Sequence, residues 1–156
     1  MATLTPPPSP SLLIPPVWFV LAILAMVELH YAAPGWRWLE PPATWLGLMP
    51  AVLGVSLDLW ALALFLRAKT GIRPFTPVTQ LVVDGPYRFS RNPMYLGMAL
   101  ILTGLALFLG SATPWLVLPA FIAVINTLYI RREEAMLETL YGEECRTFKT
   151  RVRRWL

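Results

Sequence analysis

Residues 93–130 read PMYLGMALILTGLALFL, then GSAT, then PWLVLPAFIAVINTLYI. Two apolar segments, 93–109 and 114–130, are joined by Gly110-Ser111-Ala112-Thr113. That connection is too short for anything but an antiparallel helical hairpin. Each segment has about 17 residues, the short end for a helix that crosses a bilayer. Both helix starts are marked: Asn92 is a natural N-cap before Pro93 at the first helical position, and Thr113 before Pro114 repeats the pattern.

The rest of the chain agrees with a membrane setting. Of 156 residues, 56% are hydrophobic and 14% charged, far from a soluble norm. Two further apolar runs, about 12–31 and 45–66, bring the expected spans to four. Pro15 and Pro16 are tolerated near the start of the first. The expected fold is therefore an all-α integral membrane protein of about four transmembrane helices, one domain over residues 11–156, with a C-terminal helical hairpin. Residues 1–10 read as a disordered Pro-rich tail without the basic region of a signal peptide. The lone Cys145 allows no disulfide framework.

Basic residues set the direction. Arg67, Lys69, Arg73, Arg88 and Arg91 lie between spans two and three, and Arg131 through Arg154 follow span four. An excess of Lys and Arg marks cytoplasmic segments, so loop 67–92, segment 131–156 and both termini are expected in the cytoplasm, at the inner membrane of a bacterium. The net charge of +4 then serves anionic lipid headgroups, and no nucleic acid need be invoked. Gly47 and Gly54, like Gly97 and Gly104, are seven apart, on one face of a helix where a neighbour can approach closely. Beyond span four, Leu137, Leu140, Tyr141, Phe148, Val152 and Trp155 alternate with Arg, Lys and Glu. This is an amphipathic interfacial segment able to close over what the spans hold, with Gly142 as a break point.

The hairpin has a chemical consequence. The start of one 17-residue helix lies level with the end of its antiparallel partner, so Arg91 to Tyr95 face Tyr129 to Glu134 at the cytoplasmic mouth. Arginines there are what orientation and snorkelling supply in any case. Glu133 and Glu134 are harder to dismiss, because carboxylates at a helix C-terminus oppose its dipole and gain nothing from anionic lipid. An arginine partner or a ligand has to compensate.

These residues carry a resemblance. Gly85-Pro86-Tyr87-Arg88-Phe89-Ser90-Arg91-Asn92-Pro93-Met94-Tyr95-Leu96-Gly97, Glu133-Glu134, Tyr141-Gly142-Glu143-Glu144 and Arg151-Val152-Arg153-Arg154-Trp155-Leu156 resemble the isoprenylcysteine carboxyl methyltransferase and phospholipid methyltransferase superfamily of integral membrane enzymes. The likeness runs over roughly residues 74–156. It implies methyl transfer from S-adenosylmethionine to a lipophilic or membrane-accessible acceptor, a carboxylate, thiol or amine, and requires no metal. The cofactor-binding set it implies is Tyr87, Arg88, Arg91, Asn92, Pro93, Tyr95, Glu133, Glu134 and Tyr141, with Arg91 and Glu134 as the catalytic pair. Arg91 and the free amides at the start of span three would hold the cofactor carboxylate. Glu133 and Glu134 would accept from its ammonium or ribose, and Tyr87, Tyr95 or Tyr141 would line the adenine or sulfonium pocket. The superfamily commonly has His where this chain has Asn92; a hydrogen-bonding or capping role survives that change, whereas an imidazole role does not.

Other polar residues read differently. Asp58 sits mid-span, where an ionisable side chain implies a function, a buried partner or protonation. Glu28 and the single His30 lie near the outer end of span one, where water solvates them, and no cluster around His30 completes a metal site. The seven tryptophans suit membrane-interface anchoring. A reading of another class, a non-enzymatic four-helix scaffold or small transporter, would keep the arginine and glutamate pairs for structure and use Asp58 in a transport path. Cofactor binding separates the two.

Overall fold

The structure, a computed structural model, describes residues 14–67 and 83–156. The tail 1–10 and most of loop 67–92, with Lys69 and Arg73, lie outside the described residues. The described chain is all helical. α1 spans Pro15–Ala32, with Pro15 at its first position, where no amide donor is needed. A 3-10 turn, Ala43–Gly47, leads into α2, Leu48–Arg67. A second, Gly85–Arg88, precedes α3, Pro93–Leu109. A third, Thr113–Leu116, opens a continuous helical run: α4 (Val117–Ile125), a π turn (Asn126–Ile130) and α5 (Arg131–Arg151).

Three helical segments are long and apolar enough to cross a membrane, Pro15–Ala32, Ala43–Leu64 and one beginning at Thr113. α3 is apolar but shorter, at 17 residues. Large apolar side chains such as Val20, Leu24, Val52, Leu53 and Leu59 point outward and are exposed, an arrangement that water would penalise and lipid tails cover. The chain is an integral membrane protein.

α3 organises the bundle because its two faces differ. Gly97 and Gly104 turn toward α2. A β-carbon at Gly104 would collide with the Gly47 backbone, and one at Gly97 would approach the Gly54 backbone. This pairing of 47 with 104 and 54 with 97 makes α2 and α3 antiparallel with backbones in contact. Between helices in lipid there is no hydrophobic drive, so close van der Waals packing has to supply the attraction, and only small residues permit it. The opposite face of α3 carries Tyr95, Leu102 and Ala106 into a core with Ala22 and Met26 of α1, Phe121 and Ile125 of α4, and Tyr129 and Ile130 of the π turn.

Two local expectations needed correction. Thr113 does not cap the helix start; it is the first residue of its 3-10 turn, and its hydroxyl donates to the Ala33 carbonyl (2.7 Å) and the Leu29 carbonyl (3.3 Å). Free carbonyls at the end of α1 outcompete local capping. Asn92 occupies the N-cap position, but its side chain makes no cap bond; it is used elsewhere, as described below. The C-terminal segment continues the fourth helical run from Arg131 and, as expected, breaks at Gly142, where φ is 49° and ψ −118°. A side chain disfavours that conformation, which glycine adopts freely.

The break reverses the chain. In a straight helix Lys149 would stand roughly 22 Å from Glu134, yet its Nζ donates to the Glu134 carbonyl at 3.3 Å and to Glu138 at 2.7 Å, and Arg146 also pairs with Glu138 at 3.1 Å. The second half of α5 therefore folds back along the first. At the opposite end of the molecule, His30 Nδ1 and Ser111 Oγ share a 2.8 Å hydrogen bond, and Ala112 N–H donates to the Trp36 carbonyl at 3.0 Å. These tie the α1–α2 connection to the α3–α4 connection.

The seam makes a prediction. Gly54→Val places branched carbons against the Gly97 carbonyl and should destabilise the protein by about 1–3 kcal/mol. Val55→Leu, on the outward side, should be neutral. Thermal unfolding in detergent compares them; equal melting temperatures would remove the seam from its structural role.

Candidate functional site

The backbone on either side of Pro93 grips the end of the chain. Arg91 N–H donates to the Arg153 carbonyl at 3.0 Å. The Arg154 carbonyl accepts from Asn92 Nδ2 at 3.0 Å and from Ser90 Oγ at 3.3 Å, and Ser90 Oγ also accepts from Asn92 N–H at 3.1 Å. Asn92 thus gives up helix capping to hold the C-terminal segment, which the Gly142 reversal has brought within reach.

That grip positions the Arg154 side chain. Its Nη2 and Nε meet Glu134 Oε2 and Oε1 at 2.6 and 3.1 Å, and its Nη1 donates to Asn126 Oδ1 at 3.2 Å. Such a two-pronged guanidinium–carboxylate contact fixes geometry as well as charge. Arg91 approaches the same carboxylate from α3, Nη2 to Oε1 at 3.3 Å. Glu134 therefore sits between two arginines, drawn from the start of α3 and from the chain's last residues. Arg91 retains a buried Nε without a hydrogen-bond partner among the described residues.

Glu133, one residue earlier, has a different environment. One oxygen accepts the Tyr95 hydroxyl at 3.0 Å. Burial pushes its carboxyl up to about 7, the Tyr95 bond opposing and the Glu134 charge adding to the rise. Burial likewise pushes the Tyr87 hydroxyl up, reinforced by the charges of Glu133 and then of Asp58. Tyr87 thus lies within electrostatic reach of both carboxylates.

Of the residues expected from sequence, the structure brings together Arg91, Asn92, Tyr95, Glu133 and Glu134, with Pro93 buried at the helix start and Tyr87 buried beside them. Arg88 closes its 3-10 turn with an exposed side chain, and Tyr141 is half-buried on α5, next to the Gly142 break. Sequence reasoning missed Ser90, Asn126 and Arg154 as members of this cluster. Asn126 left a signal, an amide inside an apolar run. Arg154 left none that separates it from Arg151 and Arg153. Among the described residues, no group of three or more His, Cys, Asp or Glu side chains is placed to hold a metal ion.

A largely buried carboxylate between two arginines, covered by residues 153–154, stands at one end of a membrane helix bundle. A sequence profile of the phospholipid methyltransferase family matches residues 42–144, and the chain belongs to that family. An uncharacterized protein of Haemophilus influenzae is 49% identical over 63 residues, which is 40% of this chain and the whole of that protein. No solved structure matches the chain. The family assignment settles the choice between enzyme and scaffold or transporter: the protein is a membrane-embedded, S-adenosylmethionine-dependent methyltransferase acting on a membrane-associated acceptor.

The raised Glu133 carboxyl makes stability depend on pH. Its folded value near 7 exceeds the ordinary 4.5, so the folded state binds the extra proton. The resulting stabilisation is complete below about pH 4.5 and is lost as pH rises through 7. Glu133→Gln should flatten the dependence of the melting temperature between pH 5 and about 7.5. A slope identical to wild type would mean that Glu133 titrates normally.

Proposed function

We propose that the cytoplasmic mouth formed by Arg91, Tyr95, Glu133 and Glu134 is where this methyltransferase holds S-adenosylmethionine. The observation that carries the reading is a pair of incompletely partnered groups, Arg91 and the neighbour of the carboxylate it pairs with. Among the described residues, Arg91 has a buried Nε with no hydrogen-bond partner and Glu133 makes no ion pair. S-adenosylmethionine supplies an electrophilic methyl group on a sulfonium, together with a carboxylate, an ammonium and a ribose diol that complement these residues. Arg91 takes the carboxylate, helped by the free amides at the start of α3. Glu133 accepts from the ammonium or ribose, and Tyr95 orients its carboxylate. Glu134, committed to Arg91 and Arg154, holds Arg91 in place and fastens the C-terminal segment over the site. Tyr87 and Tyr141 line the pocket, and Arg88 adds positive charge at its rim.

Methyl transfer of this kind is an in-line displacement without a covalent enzyme intermediate. The protein's part is to align the reactants and exclude water, and the folded-back α5 serves the second purpose. α3 makes the fourth crossing in this reading, its 17 residues sufficing where the bilayer thins to meet a short helix. In this reading the site and both termini are cytoplasmic, at the inner membrane of a bacterium, as the excess of arginines beside them favours. The acceptor enters sideways from the bilayer, as a carboxylate, thiol or amine on a lipophilic molecule.

Calorimetric titration of S-adenosylhomocysteine into the purified protein tests the assignment. Losing one charge-assisted bond of about 1.5–3 kcal/mol should weaken binding at least about tenfold in Arg91→Ala and in Glu133→Gln. Unchanged affinity in both folded variants would overturn it.

A further inference from the structure

The end of the bundle opposite the arginine–glutamate cluster has a cavity of its own, of about 330 Å3, whose walls include Tyr31, Arg37, Glu40, Thr44, Trp45 and Phe108. That volume is at the small end of sites that take a ligand. The walls come from the α1–α2 connection and the end of α3, and the backbone ties the two together. Trp38 and Leu39 N–H both donate to the Gly110 carbonyl, at 3.1 and 3.3 Å, and Arg37 pairs with Ser111 in an antiparallel bridge. Gly110 has a φ of 68°, and a β-carbon there would collide with the Leu39 carbonyl, so glycine is what permits the close approach. Residues 36–40 therefore present their side chains from a fixed frame, which lowers the entropy a ligand has to overcome.

Arg37 and Glu40 are the only charged residues of segments 33–47 and 110–113, and both line this cavity. Among the described residues they form no ion pair, with each other or with another group. Opposite charges that share one cavity without meeting complement a ligand that carries both signs. The surroundings are aromatic and apolar. Trp45 meets Phe108 edge to face, ring centroids 5.6 Å apart, and Tyr31, Trp36 and Trp45 are exposed. Such rings prefer the headgroup level of a bilayer. Beyond Trp45 the exposed side chains of Met49, Val52 and Leu53 continue along α2, three and four residues apart and so on one face.

We propose that this cavity is a second lipid site, separate from methyl transfer, that takes the headgroup of a zwitterionic phospholipid from the leaflet farther from the arginine–glutamate cluster. Arg37 binds the phosphate. Glu40 and the rings of Tyr31 and Trp45 face the positive nitrogen of the headgroup, and the acyl chains lie along the exposed face of α2. An anionic lipid offers nothing to Glu40 and is repelled by it, and a cation is repelled by Arg37. A soluble zwitterion shares the polar chemistry but leaves the α2 face without a role. The 17 residues of α3 separate this cavity from the arginine–glutamate cluster, roughly 25 Å along the helix. The bound lipid therefore supplies no reacting atom, and the site does not depend on where the cofactor binds.

The test titrates the full chain in dodecyl maltoside by calorimetry with dihexanoyl-phosphatidylcholine, dihexanoyl-phosphatidylglycerol and glycerophosphocholine, the last being the zwitterionic headgroup without chains. The nitrogen of phosphatidylcholine is fully methylated and accepts no further methyl group, so its binding is read apart from the reaction. Wild type should bind phosphatidylcholine at least about fivefold more tightly than either of the other two. Arg37→Gln and Glu40→Gln should each weaken phosphatidylcholine binding about tenfold, the scale of one charge-assisted bond. Arg37→Lys should retain most of it, and Glu40→Gln should narrow the gap between the two lipids. Both residues are exposed, so melting temperatures should stay within about 2 °C of wild type. Four results would overturn the proposal. Unchanged phosphatidylcholine affinity in both glutamine variants would put the lipid elsewhere, and tighter binding of phosphatidylglycerol by wild type would make the site anionic in preference. Glycerophosphocholine bound as tightly as the lipid would indicate a soluble ligand. Equal loss of affinity and of melting temperature in Arg37→Gln and Arg37→Lys would assign Arg37 to the fold.

Discussion

The carboxylate of Glu134 is the joint on which this end of the molecule depends. Arg91 and Arg154 both reach it, at 3.3 and 2.6 Å, so one anion connects the start of α3, the continuation of α4 and the end of the chain. Removing one member of such a set leaves a charge that low-dielectric surroundings cannot accommodate, and this usually costs more than the pair contributed. The backbone bonds from Arg91, Asn92 and Ser90 to residues 153–154 depend on the same registration. The reversal at Gly142 is what makes it geometrically available, since a helix continued straight to residue 151 would carry Arg154 far from Glu134.

The glycine seam fixes depth in a comparable way. Contact between the α2 and α3 backbones at two levels, seven residues or about two turns apart, prevents either helix from sliding. Asp58 is thereby held at the height of Gly97, just inside the membrane from the Arg91 mouth. A larger residue at Gly97 would displace the carboxyl and separate the helices together.

Much of this was legible in the sequence because membranes impose few solutions. Spanning segments have to be apolar and helical, so residues 93–109 appear with their bounds intact, and a four-residue connection forces Tyr95 toward Glu133. Glycines at a spacing of seven announced the seam but not its partner register. The failures share a physical origin. Thr113 and Asn92 have side chains with a local capping option and a tertiary one, and the tertiary acceptors, the end of α1 and the Arg154 carbonyl, come from residues more than 60 positions away. Arg154 itself is one of several arginines near the terminus, and only the angle at Gly142 determines which of them meets Glu134. Local pattern contains no such information.

The two adjacent glutamates show how one sequence motif can be divided into two roles. Successive residues on a helix point about 100° apart, so Glu133 and Glu134 meet different surroundings. Glu134 faces two guanidinium groups and is neutralised by them. Glu133 faces the Tyr95 hydroxyl and buried surroundings that push its carboxyl up to about 7. A structural pair would be expected to satisfy both anions. Here Glu134 meets two guanidinium groups, whereas among the described residues Glu133 makes no ion pair, the kind of separation that marks working carboxylates. In the proposed function Glu133 is where a cationic ligand gains most, and Glu134, with its two arginines, fastens the C-terminal segment beside it.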